Sequence, residues 1–444
     1  MRFGFAKEDI TPKRGIGLCG YFEPRPNKGA YDPLTIKAAL FECGGKIGGI
    51  VSYDLCLFGR ELVEKFMAAV QSAGMDFARD LLYSATHTHT GPYVAGCFTD
   101  DNVNPAYIDE VVSKTVSAVR KAYESLAEAE LLTGRTECST LAFNRRYWMK
   151  DGTVLTNPGK LNPDIVKPES IIDPEIPLMA VKQDGMMRLI VANISNHTDT
   201  IGGDMVSADW PGRMEREIQN HFGYDIPVIT LIAPQGNINH FNVENDFDQT
   251  NYAEACRIGK GYAAAVISSL YAMKPVEVNE LRVISTEFEA PYVQVTDQEY
   301  ADAKAIVDSI GEVQAQSADD LTSEGIAKGN AYVKRFFAKR LMECRDNPIK
   351  EKRIELMTAL EFGKELVIVS VPAEPFVEIG LAIKKASPFK RTMISALTQG
   401  EIGYIGLPEC YGRGGGYETR PSRGGPARDL APKIIETGIN LINK

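Results

Sequence analysis

The stretch LLYSATHTHTGP, residues 81–92, decides the predicted fold and marks a candidate site. Leu81 to Ala85 are apolar enough for a short buried strand, and the polar run that follows carries His87 and His89. In open α/β sheets, functional groups gather just beyond the carboxyl ends of the strands. A strand followed by a histidine-bearing loop therefore predicts an α/β protein with its site at that edge of the sheet.

The same order of strand and polar loop recurs twice farther along the chain. The strand predicted over residues 188–193 leads to His197, and the strand predicted over residues 366–371 leads to Glu374. Glycine turns predict two hairpins, and helical spacing predicts helices between strands. These features lie at Gly44-Gly45 and Asp184-Gly185, and at residues 60–73, 107–127 and 251–273. Hairpins together with crossovers predict an α/β fold class, a mixed β-sheet flanked by helices with the active site at strand carboxyl ends.

The domain organisation follows from the absence of sequence repeats and linkers. Thr296 and Glu299 have the spacing of a capping box, which opens a charged, helix-rich stretch. We therefore predict a single catalytic domain over residues 1–444, with a helix-rich segment at about 296–360 as an insertion or subdomain.

Charge and composition exclude several functional classes. The 49 Lys and Arg residues against 59 Asp and Glu give a net charge of −10, which disfavours a nucleic-acid partner. No run approaches the ~20 apolar residues of a membrane span. The amino terminus lacks a signal-peptide pattern and the 8 cysteines form no C-x-x-C pair. Reduced thiols and a cytoplasmic location are the resulting expectations, and no oligomeric state is predicted.

The chain has only 5 histidines, and the pair at His87 and His89 is open to two interpretations. Their spacing puts both imidazoles on one face of an extended segment. One could bind a metal while the other contacts substrate, or both could be hydrogen-bonded structural residues. His197 alone is typical of a turn, and Glu374 alone of a helix start. Together, three such groups at strand ends predict an open His₂Glu zinc site.

The string THTHTGP, residues 86–92, resembles the T-H-T-H-S-G-P signature of the neutral/alkaline non-lysosomal ceramidase family. Further similar segments follow in the family's order over nearly the whole chain: Asn144-Arg145, His197, Gly236 to Asn239, Pro372 to Glu374, Gly403 to Ile405, and Tyr417-Glu418. The chain resembles the catalytic part of that family without its carboxyl-terminal immunoglobulin-like module.

The resemblance implies a Zn²⁺ cofactor and hydrolysis of an amide by a zinc-bound water. The metal ligands that it implies are His87, His197, Glu374 and Tyr404. It also implies that His89 and Tyr417 hydrogen-bond the developing oxyanion and that Arg145 orients the substrate. The implied partner is a small-molecule or lipid-like acyl-amide substrate.

Two departures from the family pattern bear on the substrate. Asn237 replaces the aspartate of the family's G-D-V-S-P segment. Residues 412–428 are rich in glycine and contain four arginines, namely Arg413, Arg420, Arg423 and Arg428. This Arg-Gly stretch is either a substrate lid or a solvated surface loop. As a lid, it predicts a polar or anionic N-acyl substrate.

Alternative functions and supporting residues complete the sequence predictions. The same machinery would serve a metal-dependent esterase or a sugar de-N-acylase, and its loss would leave a non-catalytic metal- or anion-binding homologue. Asp32 and Asp54 are candidates for fixing a histidine tautomer, against simple turn and capping roles. Candidate pocket residues follow His197: Ser207, Asp209 and Trp210. His221 and His240 receive no functional role.

Overall fold

Strands and helices alternate along the chain in the computed structural model, which describes residues 1–21, 25–95, 103–316 and 323–444. The strands of the first half are β1 Arg2–Asp9, β2 Gly29–Ala30, β3 Thr35–Cys43, β4 Lys46–Tyr53, β5 Leu81–Ala85, β6 Ala127–Glu128, β7 Glu130–Glu137, β8 Phe143–Asn144, β9 Arg146–Met149, β10 Val154–Thr156, β11 Ile165–Pro168, β12 Glu175–Gln183 and β13 Met186–Ile194. Those of the second half are β14 Met205–Val206, β15 Val228–Ile232, β16 Ile238–Asn239, β17 Lys274–Val276, β18 Leu281–Glu289, β19 Ile354–Phe362, β20 Leu366–Ser370, β21 Glu374–Pro375, β22 Arg391–Ser395 and β23 Tyr404–Ile405.

The α-helices of the described residues match the sequence pattern closely. They are α1 Arg60–Ser72, α2 Pro105–Glu124, α3 Asp209–Phe222, α4 Tyr252–Leu270, α5 Asp297–Ile310, α6 Ser323–Lys328, α7 Ala331–Asp346, α8 Val377–Ala386 and α9 Leu430–Ile442. The predicted capping box is present, with the Thr296 hydroxyl and the Glu299 carboxylate capping α5 reciprocally. No helix in this part of the chain is long and apolar enough to cross a membrane.

The α/β class is confirmed, but the strands form three large sheets instead of one. Their strand orders are β5-β4-β3-β1-β6, β15-β13-β12-β7-β17 and β18-β19-β20-β22. In each sheet the two central hairpin strands pair antiparallel, and the next strand joins them in parallel after a helix. The mixed character predicted from hairpins plus crossovers is therefore present in all three.

The three sheets follow the same chain path, a repeat that the sequence does not reveal. Each path has three antiparallel strands, a helix, a parallel strand and a second helix packed on the first. The helix pairs are α1 with α2, α3 with α4 and α8 with α9. Helices α5 to α7 lie in the chain between β18 and β19, where the helix-rich segment was predicted.

One buried apolar cluster is shared by all three sheets. Phe41 and Ile50 come from the first sheet, Val191 and Leu231 from the second, and Ile368 from the third, all without solvent exposure. The sheets are also joined by polar side chains at their strand ends. Such burial of apolar surface is the main stabilising contribution to a fold. The shared apolar cluster also fixes the carboxyl ends of the central strands next to one another. The candidate site lies at these strand ends.

Asn193 is one of these joining residues. Its buried amide donates to the Leu231 and Ile394 carbonyls at 3.0 and 2.9 Å and accepts from the Ile394 amide at 3.0 Å. The second and third sheets are thus held in register at the point where their loops begin.

Candidate metal centre

Three side chains from the three sheets converge at one buried point. His87 follows β5, His197 follows β13, and Glu374 begins β21 after β20. The His87 and His197 Nε2 atoms lie 3.2 Å apart. Glu374 Oε2 lies 3.1 Å from the first nitrogen and 3.2 Å from the second. The strand-end rule thus brings together the three groups that the sequence singled out.

Backbone carbonyls set the tautomers of both histidines. His87 Nδ1 lies 2.8 Å from the Cys56 carbonyl, and His197 Nδ1 lies 3.0 Å from the Ile238 carbonyl. A carbonyl oxygen only accepts, so in the neutral imidazole each Nδ1 carries the proton and each Nε2 presents a lone pair. The Trp210 indole donates to the His197 carbonyl at 2.7 Å and fixes that turn. Both imidazoles therefore aim their lone pairs at the Glu374 carboxylate.

This donor set fits a metal ion. Glu374 Oε2 is buried and has no hydrogen-bond donor among the described residues. Two lone pairs and a carboxylate oxygen at about 3.2 Å repel one another unless a cation lies between them. Two histidines and one glutamate are the protein ligands of open, catalytic zinc sites. The backbone at His87 is held at a φ of +64°, the kind of strain that persists where surrounding structure imposes it.

A second group of potential ligands in the described residues combines Cys56, His87 and His89. It fits a metal less well, because Cys56 Sγ lies 3.9 Å from His87 Nδ1, the nitrogen already bonded to the Cys56 carbonyl. The group formed by His87, His197 and Glu374 is therefore the candidate metal centre.

Tyr404 reaches the same centre through β-pairing. Strand β23 lies parallel to β21, which sets Tyr404 opposite Glu374. Its hydroxyl lies 3.5 Å from His197 Nε2. Burial and the Glu374 charge raise the pKa of Tyr404 well above its ordinary value. The phenol is therefore neutral and faces the open side of the three-ligand cluster.

The charge states of Glu374 and His197 suit metal binding, whereas at His87 a proton competes with a metal. Burial works against ionisation of Glu374, yet the neighbouring His87 outweighs it and the pKa of Glu374 falls well below its ordinary value. Burial and the Arg145 charge lower the pKa of His197. Burial lowers the pKa of His87, but Glu374 more than compensates and the net shift is upward. An ionised carboxylate and a neutral imidazole are the forms that a metal requires.

His89 lies beside the cluster with one nitrogen unused. Its Nε2 is 3.3 Å from His87 Nε2, and its buried Nδ1 has no partner among the described residues. Burial and the charge of His87 lower its pKa well below the ordinary value, so the ring is neutral. Gly20, at a φ of +102°, packs so closely that a Cβ there would lie 2.6 Å from the ring. The ring is thus held rigidly at the cavity wall.

Arg145 and Tyr417 belong to a buried network on the other side of the centre. The Arg145 guanidinium lies 5.3 Å from the ring centres of both Tyr404 and Tyr417. It forms an ion pair with Glu418 at 3.0 Å and donates to the Gly236 carbonyl at 2.7 Å. Its other end lies 3.5 Å from His197 Nε2. Arg145 therefore supports the two tyrosines from behind, and it does not line the cavity.

A cavity of about 180 Å³ opens above the cluster. His87, His89, Glu374, Tyr404 and Tyr417 form its base. The remaining lining includes three arginines and two further acids, namely Arg340, Arg420, Arg428, Glu401 and Glu418. All seven predicted site residues thus lie in or directly behind one cavity wall.

The supporting residues predicted from sequence lie elsewhere. Asp54 accepts from Thr35 at 2.8 Å, and Asp32 accepts from the Ala208 amide at 2.7 Å. Neither carboxylate contacts a site histidine. Backbone carbonyls instead accept from the Nδ1 atoms of His87 and His197. Ser207, Asp209 and Trp210 do not line the cavity; Trp210 instead holds the His197 turn.

Asn237 has a structural role at the start of α8. Its side-chain oxygen accepts from the Val377 amide at 2.9 Å, and its nitrogen lies 3.1 Å from a Glu378 oxygen. An amide suits this position because it accepts from the helix start and also donates to the acid. The asparagine that replaces the family's aspartate therefore caps the start of α8.

The Arg-Gly stretch packs against the cavity instead of lying free in solvent. Arg413 pairs with Glu169 at 3.0 Å, Arg428 pairs with Glu299 at 2.6 Å, and Arg423 donates to the Asn347 carbonyl at 2.8 Å. These contacts tie the stretch to the body of the protein and to α5 and α7.

Three acidic residues at the site were missed from the sequence. Glu418 holds Arg145, and Glu401 lines the cavity. Asp199, two residues after His197, pairs with buried His240 at 3.2 Å. Their closeness in sequence to Tyr417, Tyr404 and His197 was the available signal.

No protein-family model matches the sequence, and no curated protein sequence matches it significantly. Solved structures do match. The neutral ceramidase from Pseudomonas aeruginosa is similar with a TM-score of 0.72 and 16% identity, over 99% of this chain and 74% of that chain. A ceramidase complexed with C2 is similar with a TM-score of 0.74 and 17% identity, over the same shares. The predicted resemblance is confirmed in the architecture: this chain has the fold of the neutral ceramidases.

Proposed function

We propose that the protein is a zinc-dependent hydrolase that cleaves an acyl amide. The observation that carries the proposal is the convergence of two histidine lone pairs on a buried carboxylate oxygen without a donor. His87, His197 and Glu374 would hold the ion, with Tyr404 as a fourth ligand. When bound, zinc there would lower the pKa of a water molecule and polarise the substrate carbonyl.

The chain's own residues would supply the remaining chemistry. Tyr417 and His89 lie on the cavity wall beside the cluster, where their O–H and N–H groups can donate to a developing oxyanion. Burial raises the pKa of Tyr417, so its phenol keeps the proton that it donates. Arg145 acts as a positioning residue, because it holds both tyrosines through its guanidinium and Glu418.

The fold supports an amide as the scissile bond, since the similar solved structures are ceramidases. The rival substrates are acyl esters and N-acetyl sugars, which the same machinery would cleave. A substrate panel separates them: a short N-acyl amine, N-acylsphingosine, an N-acetyl sugar and an acyl ester, each with zinc-loaded full-length protein.

His87→Ala is the inactive variant, and His221→Ala is its matched control. His221 is exposed and contacts the Tyr271 hydroxyl, far from the cluster. We expect amide cleavage that falls to background in the first variant and persists in the second. Turnover retained in His87→Ala would contradict the proposed centre. A zinc-loaded protein that cleaves no acyl substrate would be a non-catalytic homologue.

A further inference from the structure

Two arginines in the wall of the cavity form no ion pair with an acidic residue in the described part of the chain. Arg340 lies on α7, and Arg420 lies in the Arg-Gly stretch; both line the cavity. Arg428, the third arginine of the wall, is paired with Glu299 at 2.6 Å. In the described part of the chain no carboxylate lies within ion-pair distance of Arg340 or Arg420. A half-buried guanidinium without a counter-ion is costly and calls for an anion.

Aromatic rings hold both guanidinium groups. Arg420 stacks over Phe337 at 4.3 Å, and Arg340 lies over the neighbouring Phe336 at 5.6 Å. The two rings are 5.3 Å apart. Stacking covers the face of a guanidinium but leaves its N–H edge available for hydrogen bonds. Among the described residues, the Arg420 guanidinium donates one hydrogen bond, to the Gly415 carbonyl at 3.1 Å.

The acids of the cavity are engaged by other groups. Glu374 belongs to the metal cluster, and Glu418 is bound by Arg145 and Arg146. Glu401 accepts from the Gly403 amide. The cavity therefore carries arginines in its wall as well as the candidate metal ligands, within a chain whose net charge is −10.

We infer that Arg340 and Arg420 form an anion subsite that binds a carboxylate or phosphate group on the acyl-amide substrate. Bidentate hydrogen bonding to such planar or tetrahedral oxyanions is the particular property of arginine. The cavity volume of about 180 Å³ suits a short polar substrate. The substrate class rests on the proposed function, whereas anion binding itself does not.

Calorimetric titration of the full-length, zinc-loaded protein tests the subsite directly. The probes are glutarate and inorganic phosphate, each added to wild type, Arg420→Met and Arg340→Met. The matched control is Arg423→Gln, an exposed arginine of the same stretch that does not line the cavity. We expect wild type and control to bind at least one probe, and each cavity variant to bind it about 10-fold or more weakly.

The preferred probe identifies the group, carboxylate or phosphate. Binding that is absent from wild type, or unchanged in both cavity variants, would overturn the inference. The thermal unfolding of each variant is first compared with that of wild type. Because the two arginines lie on separate elements, one variant still tests the inference if the other fails to fold.

A second measurement separates this inference from the proposed reaction. N-hexanoylglycine and its neutral analogue N-hexanoylglycinamide differ only in the charged group. If the subsite takes a carboxylate, we expect kcat/KM to favour the acid in wild type, with the preference lost in Arg420→Met. If the probes bind but no amide is cleaved, the proposed function fails and the subsite stands.

Discussion

Glu418 offers a sharp test of how the centre is supported. Its fully buried carboxylate forms an ion pair with Arg145 at 3.0 Å and accepts hydrogen bonds from Arg146 at 2.9 Å and the Thr156 hydroxyl at 2.6 Å. The two arginines lower its pKa against the effect of burial. Glu418→Gln keeps the shape of the side chain and removes its charge, so that Arg145 loses its ion-pair partner while Arg146 keeps Glu169.

The size of the loss in stability follows from the loss of this ion pair. Removing one partner of a buried ion pair costs about 3–5 kcal/mol, because the remaining charge stays buried and uncompensated. We expect the free energy of unfolding of Glu418→Gln to fall by that amount. At about 2 °C per kcal/mol for a large chain, the melting temperature should fall by about 6–10 °C.

Urea and thermal unfolding, followed by intrinsic fluorescence, measure the change. Glu409→Gln is the matched control, since Glu409 is an exposed glutamate of the same loop region. It should unfold within about 0.5 kcal/mol of wild type. A Glu418→Gln protein that unfolds within about 1 kcal/mol of wild type would refute the reasoning about the network.

Three further predictions address catalysis, capping and pH. Tyr417→Phe should keep its zinc but lose about 10²–10³ in kcat on the best amide, because an oxyanion donor is removed; unchanged turnover would exclude that role. Asn237→Ala should lower the free energy of unfolding in urea by about 1 kcal/mol through the lost cap on α8, and a change in zinc content instead would mean that Asn237 serves the centre. Burial raises the pKa of Glu355 to about 7, so the folded state holds an extra proton and stability falls as pH rises from about 4.5 to 7. Glu355→Gln should therefore be more stable than wild type at pH 8, by at most about 3 kcal/mol, and equal near pH 4; a constant difference across this range would contradict the assignment.

Local structure could be predicted from the sequence because its signals are local. The β3–β4 turn at Gly44-Gly45 and the capping box at Thr296 depend on neighbouring residues alone. The candidate ligands His87, His197 and Glu374 could be proposed because each follows an apolar strand, and strand ends meet at one edge of a sheet.

The threefold repeat was not predictable, since equivalent loops carry different chemistry. Asp54, His197 and Glu374 each follow the second hairpin strand of a sheet, yet only the last two reach the centre. Equivalent positions that share no residue types give no periodic signal in the sequence. The repeat exists in the chain path and in the shared core, which only tertiary structure displays.

The supporting charges were also beyond sequence reasoning. Glu418 meets Arg146 across 272 positions, and Arg428 meets Glu299 across 129. No local sequence signal indicates that such distant residues form a pair. For the same reason the arginine-rich stretch could be assigned either to a lid or to solvent, and its contacts with Glu169, Glu299 and the cavity appear only in the fold.

The metal content of the purified protein tests the central claim most directly. Full-length wild type, His197→Ala and His221→Ala are incubated with zinc, freed of excess ion and measured by elemental mass spectrometry. The two variants differ in one respect that matters here, since His197 is buried at the cluster and His221 is exposed. The account predicts about one zinc per chain in wild type and His221→Ala and almost none in His197→Ala. A wild type without bound zinc, or a His197→Ala protein that keeps it, would contradict the account.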